Sequence, residues 1–156
     1  MEFKEIAHHY IGIKIMTNEG NIVTLIGDTL EPAKKYDWLP YLYPLSAMTE
    51  EQAVKLFNLI WSERFANDES IFIKITKYVE DENSVGFKGF DLLDNGDIGL
   101  TVEKSRGIEL SFSSKKMMVN QFVSINYLLA NHFDLWDLIE NGQAIDATTL
   151  ATNPYQ

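Results

Sequence analysis

Three histidines are the only side chains whose ordinary pKa lies near neutrality, and there is no cysteine, so acid–base chemistry at neutral pH rests on His8, His9 and His132. His8 and His9 are neighbours. On a helix adjacent residues point about 100° apart, so the two cannot face one ion. His132 and Asp134 straddle an expected helix break and are the one pair with the chemistry of an acid–base dyad or a ligand set. Each also has a plain structural role open to it. His132 falls on the apolar stripe of its helix, where a packed histidine is ordinary, and Asp134 stands where a helix cap belongs. The stretch Asp91 to Asp97 has the carboxylate density of a calcium loop, but with Gly96 in the glycine position two oxygen-ligand positions fall on Leu93 and Val102, so a hairpin turn explains it better. No Gly-x-Ser-x-Gly elbow, Gly-rich phosphate loop or His-Glu-x-x-His occurs, and no thiolate is present. The sequence therefore predicts no catalytic residue, no metal and no cofactor.

The other chemistry is recognition. Tyr36, Trp38, Tyr41 and Tyr43 crowd a stretch interrupted by Pro40 and Pro44. Rings on a proline-stiffened loop offer large contact area at small entropic cost, which makes Trp38, Tyr41 and Tyr43 the candidate interaction surface. The competing reading sends the same rings across the sheet into the core.

These residues have to be positioned by the elements around them. Phe3, Ile6, Ala7 and Tyr10 recur at helical spacing over Glu2 to Tyr10. Ile11, Ile13 and Ile15 alternate before Asn18-Glu19-Gly20-Asn21, and Ile22 to Ile26 follow, an N-terminal hairpin. Gly27 to Met48, with Pro32, Pro40 and Pro44, reads as irregular. Thr49-Glu50-Glu51-Gln52 is a capping box opening a helix with Ala53, Phe57, Ile60, Trp61 and Arg64 on one face. Four alternating segments follow, around Ile71–Thr76, Val85–Phe87, Ile98–Glu103 and Ile108–Ser113, with Asn95-Gly96 the clearest turn. Ser114 is placed to cap a second long helix striped by Met118, Phe122, Ile125, Leu129 and His132; Asp134 would cap a short third helix to Glu140, stopped by Gly142. The fold expected is α+β: an antiparallel β-meander with an N-terminal hairpin, packed on two longer helices and one short C-terminal helix. The apolar stripes place Phe122 and Ile125 in the core beside Phe57 and Ile60.

At 156 residues the chain is expected to be a single domain, 1–156, with a flexible tail from 151. Thirteen basic residues against 23 acidic ones leave a net charge of −10, which disfavours nucleic acid and anionic membranes as partners and suits a basic protein. No apolar run is long enough to span a bilayer, and MEFKEIAHHY lacks the pattern of a secretory signal, so a soluble, cytoplasmic protein is expected.

Two stretches, PYLYPLSAMTEEQ from Pro40 to Gln52 and INYLLANHFDLWDLIENGQAIDATTL from Ile125 to Leu150, resemble a family of small uncharacterised proteins of phages, prophages and mobile elements of gut bacteria. Such proteins typically carry a Pro-x-Leu-x-Pro-Leu-Ser segment before an acidic turn; Trp136-Asp137 stand here where small residues are more usual. The resemblance implies an accessory protein and no particular activity. The expectation is a non-enzymatic protein that binds a host or virion protein in the bacterial cytoplasm, an inhibitor of a defence system being one form. The alternatives are a small-ligand protein that sequesters a nucleotide by stacking it on the aromatic segment, and a small hydrolase using His132 and Asp134.

Overall fold

The computed structural model describes residues 2–64, 72–81, 84–91, 96–103, 107–112, 115–118 and 121–155, and these form an α+β fold of two compact units, 1–44 with 128–156, and 45–127. The elements are α1 (Phe3–Ile6), β1 (Lys14–Met16), β2 (Ile22–Thr24), α2 (Gly27–Lys35), β3 (Leu39–Leu42), α3 (Glu50–Arg64), β4 (Phe72–Asp81), β5 (Ser84–Asp91), β6 (Gly96–Glu103), β7 (Gly107–Phe112), β8 (Lys115–Met118), α4 (Gln121–Ala130) and β9 (Ile145–Asp146). The division between the units falls inside α4.

In the first unit the strand order is β2-β1-β3-β9. The predicted hairpin is β1 with β2, in the register Lys14↔Thr24 and Met16↔Ile22. Gly20 turns it at φ 81, a left-handed value that glycine takes without penalty. β2 is one edge strand, and Thr29 blunts it: its hydroxyl accepts from the Ile26 amide at 2.8 Å and donates to the Thr24 carbonyl at 3.0 Å. Those two backbone groups are thereby closed to a further strand.

The region expected to be irregular is not. α2 runs through Pro32, which lies in its second turn and removes only the amide that would have met the Asp28 carbonyl. Pro40 lies inside β3, yet β1 pairs only with Leu39 and Pro40 while β9 pairs only with Tyr41 and Leu42. No residue of β3 is paired on both sides, so the missing proline amide interrupts no ladder. The core of this unit gathers Phe3, Ile6, Tyr10, Ile13, Leu25 and Leu138, with Trp38, Trp136 and Leu129 half-buried against it.

In the second unit the capping box forms as predicted: the Gln52 amide donates to the Thr49 hydroxyl at 3.2 Å, and the Thr49 amide to the Gln52 side-chain oxygen at 2.9 Å. α3 then buries Ala53, Leu56, Phe57 and Ile60. The meander is five strands in chain order, β4 to β8, all antiparallel. The cross-strand pairs Val85↔Val102 and Phe87↔Leu100 are fully buried, which is the apolar face the alternation foretold. The Asn95-Gly96 turn and the loop resembling a calcium site include residues 92–95, and the Ser114 cap lies at 113–114; these positions are outside the described residues.

The helices after the meander differ from expectation. Residues 115–118 pair with β7 as β8, with Glu109↔Met118 and Phe112↔Lys115, so α4 begins only at Gln121. Met118 is then in a strand and His132 lies beyond the helix end, so the stripe 118-122-125-129-132 has no single helix to lie on. The buried side of α4 is Ser124 and Leu128, and Phe122, expected in the core, is 72% exposed. The short helix expected from Asp134 to Glu140 is absent too. The chain forms turns there.

Candidate functional site

Helix α2 ends on a residue in the left-handed region. Tyr36 is its C-cap, Asp37 follows at φ 51, and the Trp38 amide reaches back to the Ala33 carbonyl at 3.1 Å, the six-to-one bond of a Schellman end. That geometry swings Asp37 outward and turns Trp38 toward the body of the unit. The Trp38 ring is half-buried on the core cluster, and Tyr36, 49% exposed, stacks on it with centroids 6.4 Å apart and planes 26° from parallel.

Beside this pair is a half-open cleft of about 340 Å³, walled by Phe3, Trp38 and Leu39 and rimmed by Glu2, Lys4 and Asp37. Its floor is fixed by a contact across almost the whole chain: the Phe3 amide donates to the Gln143 side-chain oxygen at 2.7 Å. Gln143 is held in turn by a second Schellman end, where Gly142 at φ 67 lets the Gln143 amide reach the Leu138 carbonyl at 2.7 Å. On the rim Glu2 and Lys4 form an ion pair at 2.5 Å. The hydrogen bond and charge of each partner hold the Glu2 carboxyl below and the Lys4 ammonium above their usual ranges. Asp37 feels the Lys4 charge, but its carboxylate makes no hydrogen bond or ion pair among the described residues.

The three aromatic residues singled out from sequence are not one surface. Trp38 stands at the cleft. Tyr41 is 4% exposed inside β3, so its ring is core and has no face to offer a partner. Tyr43 is half-buried; its hydroxyl donates to the Asn153 side-chain oxygen at 2.8 Å and its ring meets those of Phe133 and Tyr155.

His132 and Asp134 are not brought together as a dyad. α4 ends in a further Schellman motif, with the His132 amide on the Leu129 carbonyl at 2.9 Å, the Phe133 amide on the Leu128 carbonyl at 3.0 Å, and His132 itself at φ 65. Its ring lies flat against Tyr155, 4.1 Å between centroids. Among the described residues its Nδ1 is buried with no hydrogen-bond partner, and burial holds the imidazole below its usual pKa. Asp134 is fully buried, and its carboxylate accepts the amides of Trp136, Leu138 and Ile139 at 3.0–3.1 Å. Three amides are drawn to one carboxylate, and Asp137, at φ 59, leaves the helical region in the middle of the segment, so the residues form turns and not a helix. The Phe133 carbonyl takes the Tyr10 hydroxyl at 3.2 Å, and burial pushes that phenol's pKa up.

No family model, curated protein or solved structure matches the chain. Among the described residues no group of three or more histidine, aspartate or glutamate side chains is placed to hold a metal ion, and no helix is long and apolar enough to cross a membrane.

Sequence reasoning missed Glu2, Lys4, Asp37 and Gln143. Asp37 sat unremarked between two aromatic residues that had drawn notice, and the Gln143 contact spans a separation of 140 residues, for which a single sequence carries no signal. Tyr155 was missed as well. Its hydroxyl donates to the Tyr41 carbonyl at 2.5 Å and accepts the Lys14 amide at 3.4 Å, so the tail that was expected to be flexible is tied to β1 and β3.

Proposed function

We propose that the chain is a non-enzymatic binding protein of the phage or mobile-element type, and that its Trp38 cleft docks a segment of a host or virion protein in the bacterial cytoplasm. The observation that carries this reading is the Tyr36–Trp38 stack standing at a half-open cleft: one ring anchored in the core, the other exposed. A rigid aromatic pair beside a recess is the arrangement in which a few side chains supply most of a docking energy. A defence-system inhibitor fits it, because a strongly acidic protein is drawn to basic sites that handle nucleic acid.

The two rivals fare less well. A nucleotide stacked on Trp38 would bring its phosphates near Glu2 and Asp37, which repel them. A hydrolase would need the Asp134 carboxylate, which three main-chain amides already occupy.

Selection of random displayed peptides on the immobilised full chain tests the proposal. Peptides that bind should lose affinity about tenfold or more on Tyr36→Ala, with the melting temperature unchanged. Selection that yields nothing above background, or binders indifferent to Tyr36→Ala and Trp38→Phe, would overturn it.

A further inference from the structure

We infer that the occupant of the Trp38 cleft is an arginine side chain of the docked protein segment, its guanidinium laid on the aromatic stack and forked onto Asp37. This rests on the docking reading and adds the chemistry of the partner.

Three observations converge on a cation. Asp37 is the uncommitted charge of the rim, because Lys4 is already paired with Glu2 and Asp37 bonds to nothing among the described residues. The surrounding unit reinforces it: residues 1–44 and 128–156 hold four lysines, no arginine and ten carboxylates, so a positive group approaches down a favourable potential and a negative one is repelled. The aromatic stack also takes a cation from its own chain, for the Lys35 Nζ sits 5.1 Å from the centre of the Tyr36 ring. Tyr36 is itself stacked on Trp38, and it is the Trp38 ring that lines the cleft. Tryptophan is the better partner for a cation of the two rings, and among the described residues it has none.

Arginine suits the site better than lysine. Its planar guanidinium can stack on an indole while presenting a two-pronged donor edge to a carboxylate, whereas an ammonium is a strongly hydrated point charge that gives up more on leaving water. The Schellman end sets the backbone at both residues: the bond from the Trp38 amide to the Ala33 carbonyl holds the main chain of Asp37 and Trp38 in one turn before any partner arrives.

The test is a two-dimensional NMR titration of the ¹⁵N-labelled full chain, following the Trp38 indole N–H, which is assigned by its loss in Trp38→Phe. Four glycine–serine peptides are compared, carrying arginine, lysine, citrulline or glutamate at the same positions. The arginine peptide should shift the Trp38 signal saturably. Citrulline, which keeps the shape and loses the charge, should bind about tenfold more weakly, and added salt should weaken the arginine peptide. Asp37→Asn keeps a residue that tolerates the left-handed backbone and removes only the charge; it should weaken arginine binding about threefold to tenfold with the melting temperature preserved.

Equal binding of the citrulline and arginine peptides, or of the arginine peptide to wild type and Asp37→Asn, would overturn the inference while leaving the cleft a docking site. Stronger binding of the glutamate peptide would reverse its sign. If no peptide of this set, and none from the displayed library, moves the Trp38 signal, the inference and the docking reading fall together.

Discussion

Helices α2 and α4 end in the same backbone device and put it to opposite uses. Both place a non-glycine residue at positive φ, Asp37 and His132, and both follow it with an aromatic residue whose amide closes back onto the helix, Trp38 and Phe133. At α2 the left-handed residue is exposed, its carboxylate makes no bond among the described residues, and the aromatic one forms a cleft wall. At α4 the left-handed residue is covered by Tyr155, and the residue after Phe133 spends its carboxylate on three amides. Chemistry-bearing residue types are present in both, so type alone does not mark a site; what separates the two regions is whether the carboxylate is already taken up by amides of its own chain, as that of Asp134 is.

The largest effect should come from breaking the satisfied end. Asp134→Ala leaves three amides without their acceptor, that of Leu138 in a buried place and those of Trp136 and Ile139 half-buried, and should cost about 3–5 kcal/mol, lowering the melting temperature by roughly 10 °C or more. Asp134→Asn, which keeps one acceptor oxygen, should fall between. A thermal melt of each variant checks this, and a loss for Asp134→Ala no greater than that of a surface substitution would return the carboxylate to the list of groups free for catalysis.

Tyr155→Phe comes next, at about 1–2 kcal/mol, because it removes one hydroxyl that serves both the Tyr41 carbonyl and the Lys14 amide while keeping the ring on His132. It asks whether the tail after residue 151 is part of the first unit's structure. A melt indistinguishable from wild type, together with rapid amide exchange at Tyr155, would show that it is not.

Much of the fold could be read before the structure because it depends on neighbours in sequence. The capping box of Thr49 and Gln52, the Gly20 hairpin, and the alternation of Val85, Phe87, Leu100 and Val102 are all local signals. The failures share a cause. Pro32 and Pro40 mark a break only if their missing amides were needed, and that depended on which strands lie beside β3. The helix expected to start at Ser114 took in both residues 115–118 and residues 121–130, but the first four pair with the edge of β7 as a strand. The stripe then pointed the wrong way: Phe122 is exposed and Ser124 buried. Phe122→Ala, which the stripe alone would put at about 3–5 kcal/mol, should by exposure cost under about 1 kcal/mol in the same melt. Of the cleft, only its aromatic wall was legible, since Gln143 and Glu2 reach it from opposite ends of the chain.

The covered end also carries a pH signature. In the folded protein burial lowers the pKa of His132, and Nδ1 has no acceptor to reward protonation; in the unfolded chain the imidazole titrates near its ordinary value of about 6.5. Below that pH the unfolded chain takes up the proton and the folded one resists it. The stability that neutral His132 contributes is therefore complete above about pH 6.5 and declines as pH falls toward the folded pKa. His132→Asn, which tolerates positive φ and does not titrate, should flatten that acid-side slope in denaturant melts run at a series of pH values. An unchanged slope would mean that His132 reaches solvent freely and is not the covered group described here.

The smallest effect is the one that sets the two ends most directly against each other, because a single substitution should act on them with opposite sign. Glycine at a left-handed position relieves the clash of Cβ with the backbone, and part of that gain is returned as extra freedom in the unfolded chain. Asp37→Gly removes an exposed side chain that bonds to nothing among the described residues and feels only the charge of Lys4, itself paired with Glu2, so the two backbone effects dominate, and the net should be a gain of a few tenths to about 1 kcal/mol, or about 1–3 °C. His132→Gly relieves the same clash but strips the ring from under Tyr155, and the lost packing should outweigh the relief, so its melting temperature should fall. If Asp37 is held for a partner and not for the fold, Asp37→Gly should stabilise the protein and weaken arginine-peptide binding together. A lower melting temperature for Asp37→Gly would show instead that the carboxylate braces the turn from Tyr36 to Trp38, and would remove the free charge on which the contrast between the two helix ends depends.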